Sequence, residues 1–229
     1  INDLKNIKHY CDIYLNQSIL SNKTVLKKFF EKNTKILIGP KYSLLDENFQ
    51  KLRNKTIIRS KVKNILIFFG GSDKNNLTKI YTDILLKKIN QNIKLNIVIG
   101  TLNENRKNLY KYYNNENRIS FFYNLKNLAK IMSKSDLYVG SGGTTTWERC
   151  CLKLPSIVIS TANNQEIHSK YLSKINAIKY LGKHSKLSKI KFKKEFERIQ
   201  KRKNLSKFSI NSGKINDGLG CYRVYNQIL

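Results

Sequence analysis

Short apolar runs, each closed by glycine, proline or a polar cluster, alternate along this chain with stretches whose apolar residues recur every three or four positions. NILIFFGG at 64–71 is the clearest run, with five consecutive apolar side chains ahead of two glycines. NIKLNIVIG (92–100), ISFFYNL (119–125), DLYVGSGG (136–143) and SIVIS (156–160) repeat the pattern and are expected to be buried strands. Between them the period lengthens. Leu77, Ile80, Ile84, Leu85 and Ile89 mark one helical face, with Asn75 and Asn76 as its expected start. LAKIMSKS (128–135) reads as a short helix, TTTWERCCLKL (144–154) as one with Trp147, Cys150, Cys151 and Leu154 on one side, and EIHSKYLSKI (166–175) as another, before AIKYLG ends at Gly182.

Upstream, CDIYLNQ (11–17) and KILIG (35–39) are short strand candidates, the second stopped by Gly39-Pro40. TVLKKFF (24–30) offers a small helical face, and YSLLDENFQKLR (42–53) a loop and helical turn. Downstream, residues 186–203 form a basic helix expected to turn Leu187, Ile190, Phe196 and Ile199 inward, followed by a less regular tail from 204.

Strands alternating with helices predict a parallel α/β sheet covered on both faces. The pattern divides the chain into 1–60, a short segment and linker; 61–205, a Rossmann-like domain; and 206–229, a tail that crosses back toward the amino-terminal part. The chain begins Ile1-Asn2-Asp3, which suggests a fragment or a processed product. Its first residues are polar and no apolar run reaches membrane-spanning length, so a soluble, cytoplasmic protein without membrane insertion is expected.

Charge changes this picture less than its size suggests. The formal net charge is +29, from 36 lysines and eight arginines against 15 acids, in a chain that also holds 28 asparagines. The lysines and asparagines run through nearly every segment, whereas a nucleic-acid footprint concentrates on one face, so no specific nucleic-acid partner is expected. The field still favours anions in general. Cys11, Cys150, Cys151 and Cys221 lack metal-ligand spacing and read as buried or partly buried thiols; His9, His168 and His184 are scattered, and neither a metal nor a cofactor is implied.

Candidate chemistry sits where strands end. In a parallel sheet the carboxyl ends of strands and the amino ends of helices share one edge, the usual ligand face. Gly70-Gly71 with Ser72-Asp73, and Ser141-Gly142-Gly143 with Thr144-Thr145-Thr146, both follow apolar runs and are expected to meet there. Each glycine pair alone also fits an ordinary sheet-to-helix turn. Glu148, early in a helix, can accept hydrogen bonds from ribose hydroxyls in a nucleotide-sugar site. Arg149 fits either a phosphate contact or an internal salt bridge. Asn164 and Gln165 suit sugar hydroxyls or amides, or else helix capping. Trp147 reads as a packing residue.

In their order along the chain, CDIYLNQ, GPKYSLLDENF, FFGGSDKNNLT, DLYVGSGGTTTWERCCLKLPSIVIS, ANNQ and NDGLGCYRV resemble the PseG family. Its members are UDP-2,4-diacetamido-2,4,6-trideoxy-beta-L-altropyranose hydrolases of pseudaminic acid biosynthesis. More distantly the chain resembles MurG-like GT-B glycosyltransferases. The resemblance implies a GT-B-type, Rossmann-like carboxyl-terminal nucleotide-binding domain with only the tail end of the amino-terminal one. It implies that Gly70, Gly71 and Ser72 face a diphosphate, that Ser141, Gly142, Gly143 and Thr145 form the nucleotide-binding turn, that Glu148 engages ribose, and that Asn164 and Gln165 lie near the diphosphate or sugar. The partner it implies is a UDP-linked diacetamido sugar, hydrolysed at the anomeric C1–O bond with inversion. The family's proposed catalytic histidine belongs to an early loop that none of the three histidines here matches, so no catalytic residue is assigned. A GT-B glycosyltransferase and a noncatalytic UDP-sugar-binding fragment are the alternatives.

Overall fold

The computed structural model describes residues 8–229; the opening Ile1-Asn2-Asp3 lies outside the described residues. The chain starts with a small parallel pair, β1 (Ile13–Asn16) and β2 (Lys35–Ile38), joined through α1 (Lys23–Lys27). Stacking of His9 on Phe30, with ring centroids 5.0 Å apart, and a tilted contact of Tyr14 with the same ring close one side of it. A 3₁₀ turn at Pro40–Tyr42 and α2 (Glu47–Arg53) then lead into the main domain.

That domain is built on β3 (Asn64–Phe68), β4 (Lys94–Ile99), β5 (Ile119–Tyr123), β6 (Leu137–Gly140), β7 (Ser156–Ser160) and β8 (Lys179–Lys183). The six strands are all parallel, in the order β5-β4-β3-β6-β7-β8. α3 (Leu77–Leu86), α4 (Arg106–Tyr112), α5 (Ala129–Ser133), α6 (Thr145–Cys151) and α7 (Asn164–Lys174) follow β3 to β7, and α8 (Lys189–Ile199), α9 (Arg202–Gly213) and α10 (Gly220–Ile228) end the chain.

Strand alternation sorts the core into two layers. Ile65 and Ile67 point to the side covered by α3, α4 and α8, joining Leu77, Tyr81, Leu109, Phe192 and Phe196. Leu66 points the other way, where Phe49 of α2, Met132 of α5 and Cys151 of α6 meet it. Val158, Trp147 and Leu172 extend this second layer under α7. Ile65, Leu66 and Ile67 are each fully buried, and removing such side chains from water stabilises the fold by about 1.5–3 kcal/mol apiece.

Several expectations are corrected. The run from 204 onward is helical: α9 passes through 205–206, and α10 packs on the Pro40–Tyr42 turn, with Arg223 donating to the Lys41 carbonyl at 3.0 Å. In α8 the inward residues are Phe192, Phe196 and Ile199, while Ile190 is 79% exposed: at about 100° per residue it lies roughly 200° round the helix from Phe192, on the outer face. Ile80 is also exposed. Asn76 is the N-cap residue of α3, where the sequence placed the helix start, but its side chain makes no capping bond. Asp73 supplies that bond, accepting from the Leu77 and Thr78 amides at 2.9 Å each. α4 was not expected from the sequence pattern. Cys150 and Cys151 are buried, but Cys11 and Cys221 are exposed. Among the described residues no helix is long and apolar enough to cross a membrane.

Candidate functional site

The strand order places β3 beside β6, the point from which the chain departs to opposite faces: α3 into the first layer, α6 into the second. A crevice opens at such a switch point in open α/β sheets. Register aligns its walls. Phe68 is paired with Gly140, so the loops after the two strands begin at one level. Close approach requires glycine here: a Cβ on Gly140 would overlap the Phe68 carbonyl oxygen, and one on Gly100, after β4, would overlap the carbonyl oxygens of Gly70 and Gly71. Gly70 and Gly143 have φ of +90° and +119°, a region open to glycine at little cost.

The resulting cleft has a volume of about 680 Å³. Of the ten residues singled out in the sequence it brings together nine: Gly70, Gly71, Ser72, Ser141, Gly142, Gly143, Thr145, Glu148 and Gln165. Asn164 is exposed and does not line it, because successive helical residues diverge by about 100°. Gln165 faces in while its amide folds back on the β7 turn, accepting from the Thr161 amide at 3.1 Å and donating to the Thr161 hydroxyl at 3.2 Å. Asp73 is turned away from the cleft into its capping role, and burial raises its carboxyl above the ordinary value, with the Thr78 and Leu77 bonds pulling it back.

Two wall segments were not singled out as site residues in the sequence: Asp46, within the GPKYSLLDENF run ahead of α2, and residues 124–128, between β5 and α5. Asn127 donates to Asp46 at 3.3 Å across 81 residues of chain, a separation no local motif reports. Asp46, Lys126 and Glu148 are the charged residues among those lining the cleft, so its walls carry two acids to one base although the chain carries +29.

Arg149 does not line the cleft and forms no salt bridge among the described residues. It is buried, donates to the Ser141 carbonyl at 3.2 Å and to the Thr145 and Thr146 hydroxyls at 3.0 and 3.1 Å, and lies 4.1 Å over the Tyr138 ring. The Tyr138 hydroxyl in turn lies 2.7 Å from the Phe68 carbonyl oxygen and 3.0 Å from that of Ser141. These bonds fix the β6–α6 loop from beneath. Glu148 lines the cleft, and its Oε2, itself buried, has no hydrogen-bond partner among the described residues. Burial raises its carboxyl above the ordinary carboxylate range; Arg149 opposes the rise and Asp46 adds to it. Trp147 packs with Val158 and Leu172, edge-on to His168. His168 is bonded to Ser18 at 2.7 Å and His184 to Asn75 at 3.2 Å, and neither lines the cleft.

The family model for the glycosyltransferase family 28 C-terminal domain matches residues 65–211. The chain belongs to this family. The glycosyltransferase family 28 C-terminal domain thus accounts for all six strands of the main sheet and for the helices through most of α9. The same α/β fold recurs in MurG of Acinetobacter baumannii, with a TM-score of 0.63 over 90% of this chain and 62% of that one at 17% identity, a likeness of fold. In sequence, the chain is 36% identical over 177 residues to the uncharacterized protein MJ1062 of Methanocaldococcus jannaschii, covering 73% of this chain and 36% of that protein. It is 28% identical over 167 residues to the UDP-2,4-diacetamido-2,4,6-trideoxy-beta-L-altropyranose hydrolase of Campylobacter jejuni, covering 72% of this chain and 58% of the hydrolase. The chain therefore spans between about a third and three fifths of these relatives' lengths.

Proposed function

We propose that this chain is the UDP-sugar-binding part of a GT-B enzyme that acts at the anomeric carbon of its nucleotide sugar. The observation that carries this is the convergence of the β3 and β6 glycine loops on one cleft with Glu148 in its wall. Main-chain amides of Gly70 to Ser72 and Gly142 to Gly143, with the Ser72, Ser141 and Thr145 hydroxyls, are suited to the diphosphate. Such donors stabilise a leaving diphosphate as charge develops on it. Glu148 accepts from the ribose hydroxyls, and Gln165 reaches the sugar. Asn164 is given no contact in this arrangement.

Two reactions share this half of a site. In transfer, the reading that family membership supports, an acceptor hydroxyl attacks C1. In hydrolysis, favoured by the similarity to the Campylobacter enzyme, water attacks instead; its oxygen bonds to C1, its proton passes to a base, and UDP departs with the electron pair of the C1–O bond. UDP release separates them. Release from the UDP-diacetamido sugar without an acceptor supports hydrolysis, and release only with an acceptor supports transfer. Binding of UDP without turnover supports a binding role for the chain alone, and absence of UDP binding overturns the reading.

Glu148→Gln provides a second check, because its two expected effects have opposite signs. A charge-assisted hydrogen bond contributes about 1.5–3 kcal/mol, so UDP affinity should fall roughly 10- to 100-fold in calorimetric titration. The free protein should melt higher at neutral pH. An acid whose folded value is raised is most favourable to folding while protonated, and that contribution is lost as pH climbs from the ordinary to the raised value. Glutamine removes the charge that is costly there.

A further inference from the structure

Arg149 is enclosed as completely as the core around it, at 1% exposure, yet no carboxylate lies within ion-pair distance of it among the described residues. A guanidinium has five N–H donors. Here they make three bonds, to the Ser141 carbonyl and the Thr145 and Thr146 hydroxyls, and the buried Nε has no partner among the described residues. Arg59, also buried, is met by five main-chain carbonyls, whereas Arg149 is met by one.

A buried charge is costly to a fold unless an opposite charge or a full set of hydrogen bonds meets it. What Arg149 lacks, the cleft would bring. Ser141 and Thr145, both held by the guanidinium, line the cleft, so the charge stands directly behind that wall. The wall itself offers a diphosphate two acids and one base, and the balancing cation lies beneath it. One peptide unit links the two. The Ser141 carbonyl oxygen accepts from Arg149 at 3.2 Å and lies 3.0 Å from the Tyr138 hydroxyl. Carbonyl and amide of a trans peptide point in opposite directions, so the Gly142 N–H is turned away from the guanidinium. Hydrogen bonds to that carbonyl polarise the peptide and strengthen its N–H as a donor.

Resting on the nucleotide reading above, we infer that Arg149 is a positioning residue for the diphosphate. It does not touch the ligand. Its buried charge supplies the positive potential that the cleft wall lacks, and its bond to Ser141 holds the Gly142 amide toward the anion. Being buried, this charge is screened little by salt. A nucleoside without its diphosphate gains nothing from it.

The test uses the 229-residue chain with its Arg149→Lys and Arg149→Gln variants, titrated with UDP by calorimetry and with uridine by NMR. Lysine keeps the charge and gives up the planar fork; glutamine keeps a donor and gives up the charge. Glutamine should weaken UDP on the order of tenfold and lysine by no more than about threefold, while uridine binds all three proteins alike. Thermal melts establish that the variants are folded. Where the glutamine variant is not, Arg149→Met fills the volume and takes its place. Equal losses for UDP and uridine would reduce Arg149 to a structural support. Equal losses of UDP affinity with lysine and with glutamine would deny the charge its role, as would unchanged affinity in both. Each of these overturns the inference while nucleotide binding stands. Failure of the unaltered chain to bind UDP would remove the nucleotide reading and this inference with it.

Discussion

Replacing Arg59 with methionine should lower stability by about 3 kcal/mol, a drop of roughly 6–12 °C in melting temperature for a chain of this size. Arg59 is 4% exposed and has no ion-pair partner among the described residues. Its guanidinium instead donates to the main-chain carbonyls of Ile57, Ser135, Leu152 and Ser133 at 3.1, 3.2, 2.5 and 3.2 Å, with Met132 at 3.5 Å. Several of these are the unsatisfied carbonyls that end α5 and α6. The Arg59 amide donates to the Ser209 hydroxyl and its carbonyl accepts from Ser206, so α9 is tied to the same point. Burial lowers its pKa to about 10 against an opposing pull from Asp136, and the cost of keeping the charge dry is why the net loss stays well below the sum of its bonds. Methionine fills the volume and leaves the carbonyls unpaired. Arg59→Lys should rescue little, because one ammonium cannot span acceptors that a planar fork reaches together. Differential scanning calorimetry reads both variants; a methionine variant melting within 2 °C of the unaltered chain would show that water or local shifts replace these bonds.

Gly100→Ala should have the largest effect on ligand binding. Its Cβ would collide with main-chain atoms, the carbonyl oxygens of Gly70 and Gly71 and the Gly71 Cα, and not with a flexible side-chain tip. The β3 loop must therefore shift or β4 must pull away. Overpacking of this kind costs about 1–3 kcal/mol, and a displacement near 1 Å at a positioned site can cost on the order of a hundredfold. UDP affinity should drop by about that factor while far-ultraviolet circular dichroism still reports a folded sheet. A folded variant with unaltered UDP affinity would mean that the β3 loop does not contact the nucleotide.

What the sequence reveals follows how the core is made. NILIF, NIKLNIVI and SIVIS are legible because central parallel strands are buried on both faces, so their apolar runs need no alternation. Glycine loops are legible because sterics leave little choice where backbones touch, as at Gly140. α9 is not. Its inward face includes Ser209 and Ser212 beside Leu205, with Ser209 donating to the Lys153 carbonyl at 2.7 Å and Ser212 to the Ser209 carbonyl at 3.0 Å. A helix that buries small hydroxyls against backbone shows weak apolar periodicity. Ile190 illustrates the converse, an apolar residue two positions before Phe192 and therefore on the outer face of α8. Within the site, residues adjacent to strand ends were readable from pattern and resemblance, whereas Asp46 and Asn127 meet only after the chain has folded α2 against α5.

The contrast between a cleft whose walls hold Asp46, Glu148 and Lys126 and a chain of +29 has a kinetic meaning. Distant lysines draw an anion in from solution, and salt weakens that pull over roughly 8–10 Å. On the nucleotide reading proposed above, a seated diphosphate would be gripped chiefly by uncharged amides and hydroxyls beside two acids. Capture would then fall to the whole surface and residence to the walls, so higher ionic strength should slow association of UDP while leaving its dissociation rate nearly unchanged.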